Sequence, residues 1–309
     1  MTQRRSRLAP SPTGALHLGN SFAFLANWAI AKQQRWELLF RLEDLDGPRK
    51  KIDTMQQSID ILQWLGLDWQ GEVLIQSEDL KSCKDARDVL VANNRAYHCT
   101  LTRAQIESAT SAPHESQEFP FSAIRPTDIS SHNSSRSSNP TNWRFAANGF
   151  KKVIQDELAG NNTFLTSTDF VIWTKSDLPS YQLAVVVDDH RQGITDVVRG
   201  KDLLESAAWQ EELYDALGWE IPKWWHLPLI VGTDGKRLAK RHGDSRLITY
   251  RAQGVTPERI IGLISKWCGI QKDLQPMNLQ TFCRELEPKN LCMNTIEFTR
   301  EEEQWLLNY

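Results

Sequence analysis

The sequence predicts the α/β class: a parallel sheet split by an inserted α/β domain and followed by a short, mainly helical C-terminal region. Three observations carry that reading. A strand, a helix and a second strand fit within the stretch ending at Leu42. A continuous apolar run stands at Leu183–Val187. Roughly a hundred residues of mixed character separate the two.

The elements follow in order. Arg4 to Ala9 reads as a strand and Pro10 to Ala15 as a turn. Asn20 to Gln34 reads as an amphipathic helix with Phe22, Leu25, Trp28 and Ile30 on its apolar side. Trp36 to Leu42 (WELLFRL) is a second strand. So short a strand–helix–strand unit fits a parallel pair with a right-handed crossover. Residues 53–65 and 81–94 read as helices. Leu183–Val187 (LAVVV) reads as a strand buried on both faces of the sheet, with a helix at Leu203–Leu217 after it. Residues 128–140 are crowded with Ser and Asn and read as an exposed loop. From Val255 the chain reads as mostly helical. The division is 1–97 for the first half of the sheet domain, 98–165 for the insertion, 166–245 for the second half and 246–309 for the helical end.

Composition narrows the function classes. The 309 residues are 40% hydrophobic and 24% charged, enough to bury a full core. A net charge of −3 speaks against a non-specific nucleic-acid binder, although one basic face could still dock one RNA. The basic N-terminus has no apolar stretch of signal-peptide length behind it, and no window is long enough to span a membrane. Five scattered cysteines include no CxxC pair, and an odd number cannot all pair internally. A reducing, cytoplasmic location is expected.

Two segments carry chemistry. In APSPTGALHLGN, residues 9–20, a turn rich in Pro and Gly leads into His17, Leu18, Gly19 and Asn20 at a helix start. Helix N-termini offer unpaired N–H groups and positive dipole to a phosphate. An imidazole there can donate to a phosphate oxygen, and Gly19 leaves room for a nucleotide base. Neither a GxxxxGK[ST] loop nor a GxGxxG fingerprint occurs. In GKRLAKRHGD, residues 235–244, Lys236, Arg237, Lys240 and Arg241 place four positive charges in six residues between Gly235 and Gly243. Such a loop is either a solvated basic segment or a flap that neutralises charge on a transferring phosphoryl group.

Together these segments resemble the signatures of class I aminoacyl-tRNA synthetases: His17–Asn20 their HIGH motif, Arg237–Arg241 (RLAKR) their KMSKS loop. RLAPSPTGALHLGN, RLEDLD (residues 41–46) and VVDDHRQGITDVVRGKDLLES (residues 186–206) resemble the glutamyl-tRNA synthetase family. These segments run from Arg7 to about Asp244. The resemblance implies a class I synthetase fold with a Rossmann-like parallel sheet, and activation of L-glutamate by ATP with Mg²⁺ on the phosphates.

It also implies roles for individual residues. Arg7 would hold the substrate side-chain carboxylate, for which a guanidinium fork is suited. Leu8, Ala9, Pro10 and Ser11 would complete the turn around the amino acid, with Ser11 adding a hydroxyl. Glu43 would receive the substrate ammonium. Tyr181 would direct its hydroxyl at the substrate, and Arg199 would be a second arginine of the amino-acid pocket. His17, Gly19, Asn20 and Lys240 would hold ATP, with His17, Gly19 and Lys240 serving the reaction. Asp188, Asp189 and His190 would form a strand end at the wall of the nucleotide pocket rather than a metal site. No catalytic metal ligand is expected.

Within that family, the chain continues for only 68 residues after Arg241, which is similar to the glutamyl-Q tRNA(Asp) synthetases. That resemblance implies an anticodon queuosine of tRNA-Asp as acceptor, and a monomer without a membrane partner. The alternatives are a shortened enzyme charging the 3′ end of tRNA-Glu and a catalytically silent RNA-binding paralogue. Two departures stand out. Where the subfamily often has a zinc site, Cys99 remains, but Leu101 occupies the second cysteine position and EFPFSAIR (residues 118–125) has no cysteine. The structural zinc is therefore expected to be lost, with Leu101 and Phe121 packing in its place. In the basic loop Ala239 stands where KMSKS has serine, while Lys240 is kept.

Overall fold

In a computed structural model, residues 3–12, 16–45, 52–101, 125–134, 141–166, 168–236, 238 and 245–308 are described. The first unit matches its expectation closely. Strand β1, Arg5–Leu8, and strand β2, Glu37–Leu42, pair in parallel from Arg5↔Glu37 to Leu8↔Phe40, joined by helix α1, Leu18–Gln34. Ser6 Oγ donates to Asn27 Oδ1 (2.9 Å), and Asn27 Nδ2 donates to the Arg7 carbonyl (3.0 Å). These bonds fasten the helix to the strand that carries Arg7. Helix α2, Ile52–Trp64, precedes β3, Leu74–Ile75, which adds to β2 in parallel. Helix α3 follows at Lys81–Ala92.

The middle of the chain alternates between two sheets. Strands β4 (Ala96–Cys99), β5 (Asn142–Phe145) and β8 (Phe170–Trp173) form an antiparallel sheet. Between them a short helix α4, Ile129–Ser134, occupies part of the Ser/Asn-rich segment expected as loop. Strands β6 (Lys151–Asp156) and β7 (Gly160–Leu165) form a hairpin that joins the other sheet instead.

The apolar run at Leu183–Val187 is not a strand. It lies in helix α5, Tyr181–Arg191, and Leu183 through Asp189 are all buried. A short unbroken apolar run cannot distinguish a sheathed strand from a helix packed on every side. The strands of the second half come later, β9 at Asp196–Gly200 and β10 at Lys223–Leu227, with helix α6, Leu204–Leu217, between them. Their parallel register runs from Lys223↔Asp196 to Leu227↔Gly200, and β6 flanks β10. The Thr195 N–H donates to the Arg5 carbonyl (3.0 Å), setting β9 beside β1. Arg7 and Arg199 therefore come from neighbouring strands, each at the edge of its own sheet.

Two cores pack against these strands. On one side Phe22, Leu25, Phe40 and Leu42 pack with the C-terminal helices; on the other, Leu183, Val186, Val197, Leu213 and Trp224 pack together. The C-terminal region holds α7 (Leu247–Ala252), α8 (Pro257–Trp267) and α9 (Leu279–Glu285). A parallel pair of β11 (Ile230–Val231) and β12 (Ile296–Glu297) precedes α10, Arg300–Leu307. Pro257 at the first turn and Thr256 before it start α8. Helix α10 opens on a capping box between Thr299 and Glu302. Glu302 also accepts from Lys266 Nζ (3.0 Å), clamping the last helix to α8. No described helix is long and apolar enough to cross a membrane.

Candidate active site

At the C-terminal ends of β1, β2 and β9 opens a cleft of about 390 Å³. Arg7, Ala9, Pro10, Ser11, His17, Gly19, Asn20, Glu43, Tyr181 and Arg199 all line it. One cavity thus gathers residues from the first turn, the start of α1, the end of β2, the first turn of α5 and β9. Leu8 is different: its side chain is fully buried in the core rather than on the cleft wall. Asp202, Pro228 and Ile230 complete the wall without having been singled out as site residues.

His17 caps α1. The Gly19 N–H donates to His17 Nδ1 (3.2 Å), and the His17 N–H donates to Asn20 Oδ1 (3.1 Å), a reciprocal capping box. An Nδ1 that accepts leaves the proton of the neutral ring on Nε2, the form that can donate to an anion. A Cβ on Gly19 would lie 3.1 Å from His17 Cε1 and 3.2 Å from Nδ1. In this fold, glycine at position 19 leaves room for the imidazole as well as lining the cleft.

Lys240, Arg237, Ala239 and Arg241 lie outside the described residues, but the loop's flanks are fastened to this site. Within the loop, Leu238 is buried and its N–H donates to the Ile230 carbonyl (3.4 Å). After it, Arg246 forms an antiparallel bridge with His17, the Leu18 N–H donates to the Ser245 carbonyl (3.2 Å), and the Leu247 N–H donates to the Leu16 carbonyl (2.8 Å). The residues that follow the basic loop, more than two hundred positions from His17 in sequence, thus meet the first motif through backbone hydrogen bonds.

Beneath the end of the cleft lined by Arg7 and Glu43 lies a buried ionic network. Arg7 Nε donates to Asp189 Oδ1 (2.9 Å), and Arg41 Nη1 lies 2.7 Å from the same oxygen. Arg41 Nη2 donates to Glu43 Oε1 (3.0 Å), and Arg41 Nη1 also donates to Gln192 Oε1 (2.8 Å). Arg41 and Asp188 have fully buried side chains, and that of Asp189 is 1% exposed. Burial pushes the Asp189 pKa up, but Arg41 and Arg7 more than reverse this and hold it below the ordinary carboxylate value. Burial raises Glu43, and the two arginines offset that only in part. Burial would lower Arg41, yet its carboxylate neighbours leave it above the usual arginine value. Buried charges need this kind of pairing, because an unpaired ion in the interior costs several kcal/mol, on the order of 3–5.

Asp188 and Asp189 thus sit on a helix, not at a strand end, and Asp189 supports Arg7, which lines the cleft. The buried contacts of Arg41 and Asp189 with Arg7 and Glu43 were not anticipated from the sequence. The available signal was an arginine inside the apolar strand ELLFRL and two carboxylates closing the apolar run of α5, charges that neither segment could bury alone.

Arg199 is arranged differently. Its Nε donates to His226 Nε2 (3.0 Å), Nη1 to Gln210 Oε1 (2.9 Å) and Nη2 to the Leu203 carbonyl (3.0 Å). All three acceptors are neutral, and burial lowers its pKa. An arginine so held keeps its positive charge uncompensated by a paired carboxylate, which suits it to an anionic ligand. Burial raises the Tyr181 pKa, keeping that phenol a donor.

Among the described residues, Cys99 has mainly apolar surroundings. Cys99 forms a small buried cluster with Tyr97 and Ala146, and Leu101 and Ile129 pack against it. His98 and His132 stack at 4.1 Å between centroids, each ring nitrogen Nε2 bonding the other's carbonyl. Among the described residues no group of His, Cys, Asp or Glu is placed to hold a metal. The described neighbours of Cys99 are thus apolar side chains and two histidines bonded to backbone carbonyls; Phe121 lies outside the described residues.

The family description "tRNA synthetases class I (E and Q), catalytic domain" matches residues 3–304. The chain belongs to that family. It is an aminoacyl-tRNA synthetase-like ligase. It is similar to the "Glutamyl-Q tRNA(Asp) synthetase" of Rhodopirellula baltica, 41% identical over 88% of this chain and 87% of that one. The protein of the same name from Symbiobacterium thermophilum is 38% identical, with 88% of each chain covered. "Glutamate--tRNA ligase 1" of Cereibacter sphaeroides is also 41% identical, over 81% of this chain but 53% of its own length. Among solved structures, the glutamate-tRNA synthetase of Elizabethkingia anophelis shares the fold, with a TM-score of 0.79 over 99% of this chain and 70% of that one at 24% identity.

Proposed function

We propose that the protein activates L-glutamate with ATP and transfers the glutamyl group to queuosine in the anticodon of tRNA-Asp. The observation that carries the activation step is the single cleft that joins Arg7, Glu43, Tyr181 and Arg199 to His17 and Gly19. Two cationic side chains, one carboxylate and a phenol match the two carboxylates and one ammonium of glutamate. Arg7 takes the side-chain carboxylate and Glu43 the ammonium. An α-carboxylate oxygen then attacks the α-phosphorus of ATP, and the bond to pyrophosphate breaks. His17 donates from Nε2 to a phosphate oxygen, and Lys240 steadies the charge that grows on the phosphates. Mg²⁺ travelling with ATP supplies further neutralisation of the triphosphate. A hydroxyl of the acceptor attacks the adenylate carbonyl, and AMP leaves with the bonding electrons.

The choice of acceptor is supported by the near full-length likeness to two proteins named glutamyl-Q tRNA(Asp) synthetase. Equal identity to a glutamate–tRNA ligase over about half of that protein favours a second reading, charging of tRNA-Glu at its 3′ end. The enzyme works as a cytoplasmic monomer in this proposal. Transfer of labelled glutamate separates the readings. Label on queuosine-containing tRNA-Asp, and not on tRNA-Asp lacking queuosine or on tRNA-Glu, is the expected result. Label on tRNA-Glu alone would establish the second reading.

A further inference from the structure

Arg199 is steered by a pair of residues outside the cleft. Asp156, the last residue of β6, and His226, in β10, have side chains with no exposure to solvent. Asp156 Oδ2 lies 2.6 Å from His226 Nδ1 and accepts the His226 backbone N–H at 3.1 Å. Asp156 Oδ1 accepts from the N–H groups of Leu158 (2.9 Å) and Ala159 (2.7 Å), which fixes the carboxylate in the turn between β6 and β7. On the far side of the ring, His226 Nε2 meets Arg199 Nε at 3.0 Å.

Valence settles the protons. An arginine nitrogen can only donate, so His226 Nε2 must carry a lone pair and Nδ1 the proton, which it donates to Asp156. The geometry points to Asp156 and His226 as a positioning dyad for the proposed activation reaction: Asp156 fixes the histidine tautomer, and the histidine aims Arg199 at an anionic group of the substrate. The benefit over a direct Asp–Arg pair is electrostatic. A carboxylate on Arg199 would cancel the charge the substrate needs, whereas a neutral imidazole orients the guanidinium and keeps the anion one ring away. Three of the five N–H groups of Arg199 are used by His226, Gln210 and Leu203, leaving one on each terminal nitrogen for the ligand. This inference rests on the amino-acid-activating reading of the cleft.

Asp156→Asn gives a sharp test. Three backbone N–H groups surround Oδ1, so the amide oxygen belongs there and the amide NH₂ faces His226 Nδ1. It would donate to Nδ1 and drive the ring proton to Nε2, directly against Arg199 Nε–H, the same tautomer error that an Asp→Asn change makes in a serine protease triad. With glutamate-dependent pyrophosphate exchange as the assay, KM for glutamate should rise about tenfold or more, the cost of one charged hydrogen bond, while KM for ATP stays within about twofold. His226→Phe should behave alike. His226→Gln, whose amide can donate to Asp156 and accept from Arg199, should restore most of the glutamate affinity. Equal rises in both KM values, or no change in Asp156→Asn, would overturn the dyad.

A measurement on the unaltered protein guards against variants that fail to fold. Nitrogen-15 spectra of labelled histidine read the tautomer directly, and a proton on His226 Nε2 would overturn the assignment. Absence of glutamate-dependent exchange in the parent would instead reject the activation reading, and the spectra would still judge the dyad.

Discussion

Arg41→Met tests whether the buried network is what holds the amino-acid site together. Methionine roughly preserves the length of the arginine stem while removing the guanidinium. In the parent, that group bonds Glu43 at 3.0 and 3.2 Å, Asp189 at 2.7 Å and Gln192 at 2.8 Å, with no exposure to solvent. Its loss leaves Asp189 with Arg7 alone and Glu43 with no direct cation partner. Breaking a buried ion pair from one side costs about 3–5 kcal/mol, so urea denaturation at neutral pH should show a loss of that size. The effect should carry a pH signature. The Asp189 pKa is lowered in the folded protein, so its pairing stabilises the fold above the ordinary aspartate pKa and the gain fades as pH falls through the depressed value. The difference between parent and variant should therefore shrink in acid. Glutamate KM in pyrophosphate exchange should rise about ten- to a hundredfold, because an unpaired Glu43 in a buried site is driven toward its neutral form, which cannot pair with an ammonium ion as a carboxylate does. A stability loss below about 1 kcal/mol together with an unchanged glutamate KM would refute the network's role.

Three further outcomes are expected. Lys240→Ala should slow adenylate formation about a hundredfold or more while leaving glutamate affinity near the parent's, checked by single-turnover kinetics; equal exchange rates would remove Lys240 from the reaction. Gly19→Ala should push the His17 ring from its place, since the added Cβ would lie 3.1 Å from Cε1, and kcat/KM for ATP should fall about tenfold with stability altered by less than about 1 kcal/mol. Because burial raises the Glu43 pKa, glutamate affinity should weaken as pH falls at values above the ordinary carboxylate range; in Glu43→Gln affinity should be low at every pH and that dependence should vanish, as followed by KM against pH.

Much of the site was legible in the chain because its residues belong to short local patterns. Strand β1 ends at Leu8 and α1 begins at Leu18 behind a capping box at His17, so one short connection carries most of these residues to the cleft. Glu43 follows the next strand, so a parallel crossover alone brings it to the same edge. Tyr181 and Arg199 were identified by motif and do line the cleft, although the secondary structure assigned around them was wrong at Leu183–Val187. A five-residue apolar run has no periodicity to read, and the core packed on both sides of α5 selects helix.

What sequence by itself determined, then, was the class of fold, the first βαβ unit and most of the residues that line the cleft. Tertiary structure alone decided which charges those residues lean on. Asp189 meets Arg7 across 182 positions, His226 meets Asp156 across 70, and the flank of the basic loop meets His17 through backbone bonds. None of these pairings leaves a local pattern, because each is set by the order in which strands enter the sheet. The physical cause is the same in each case: a charge or donor removed from water must find its partner wherever the fold brings one.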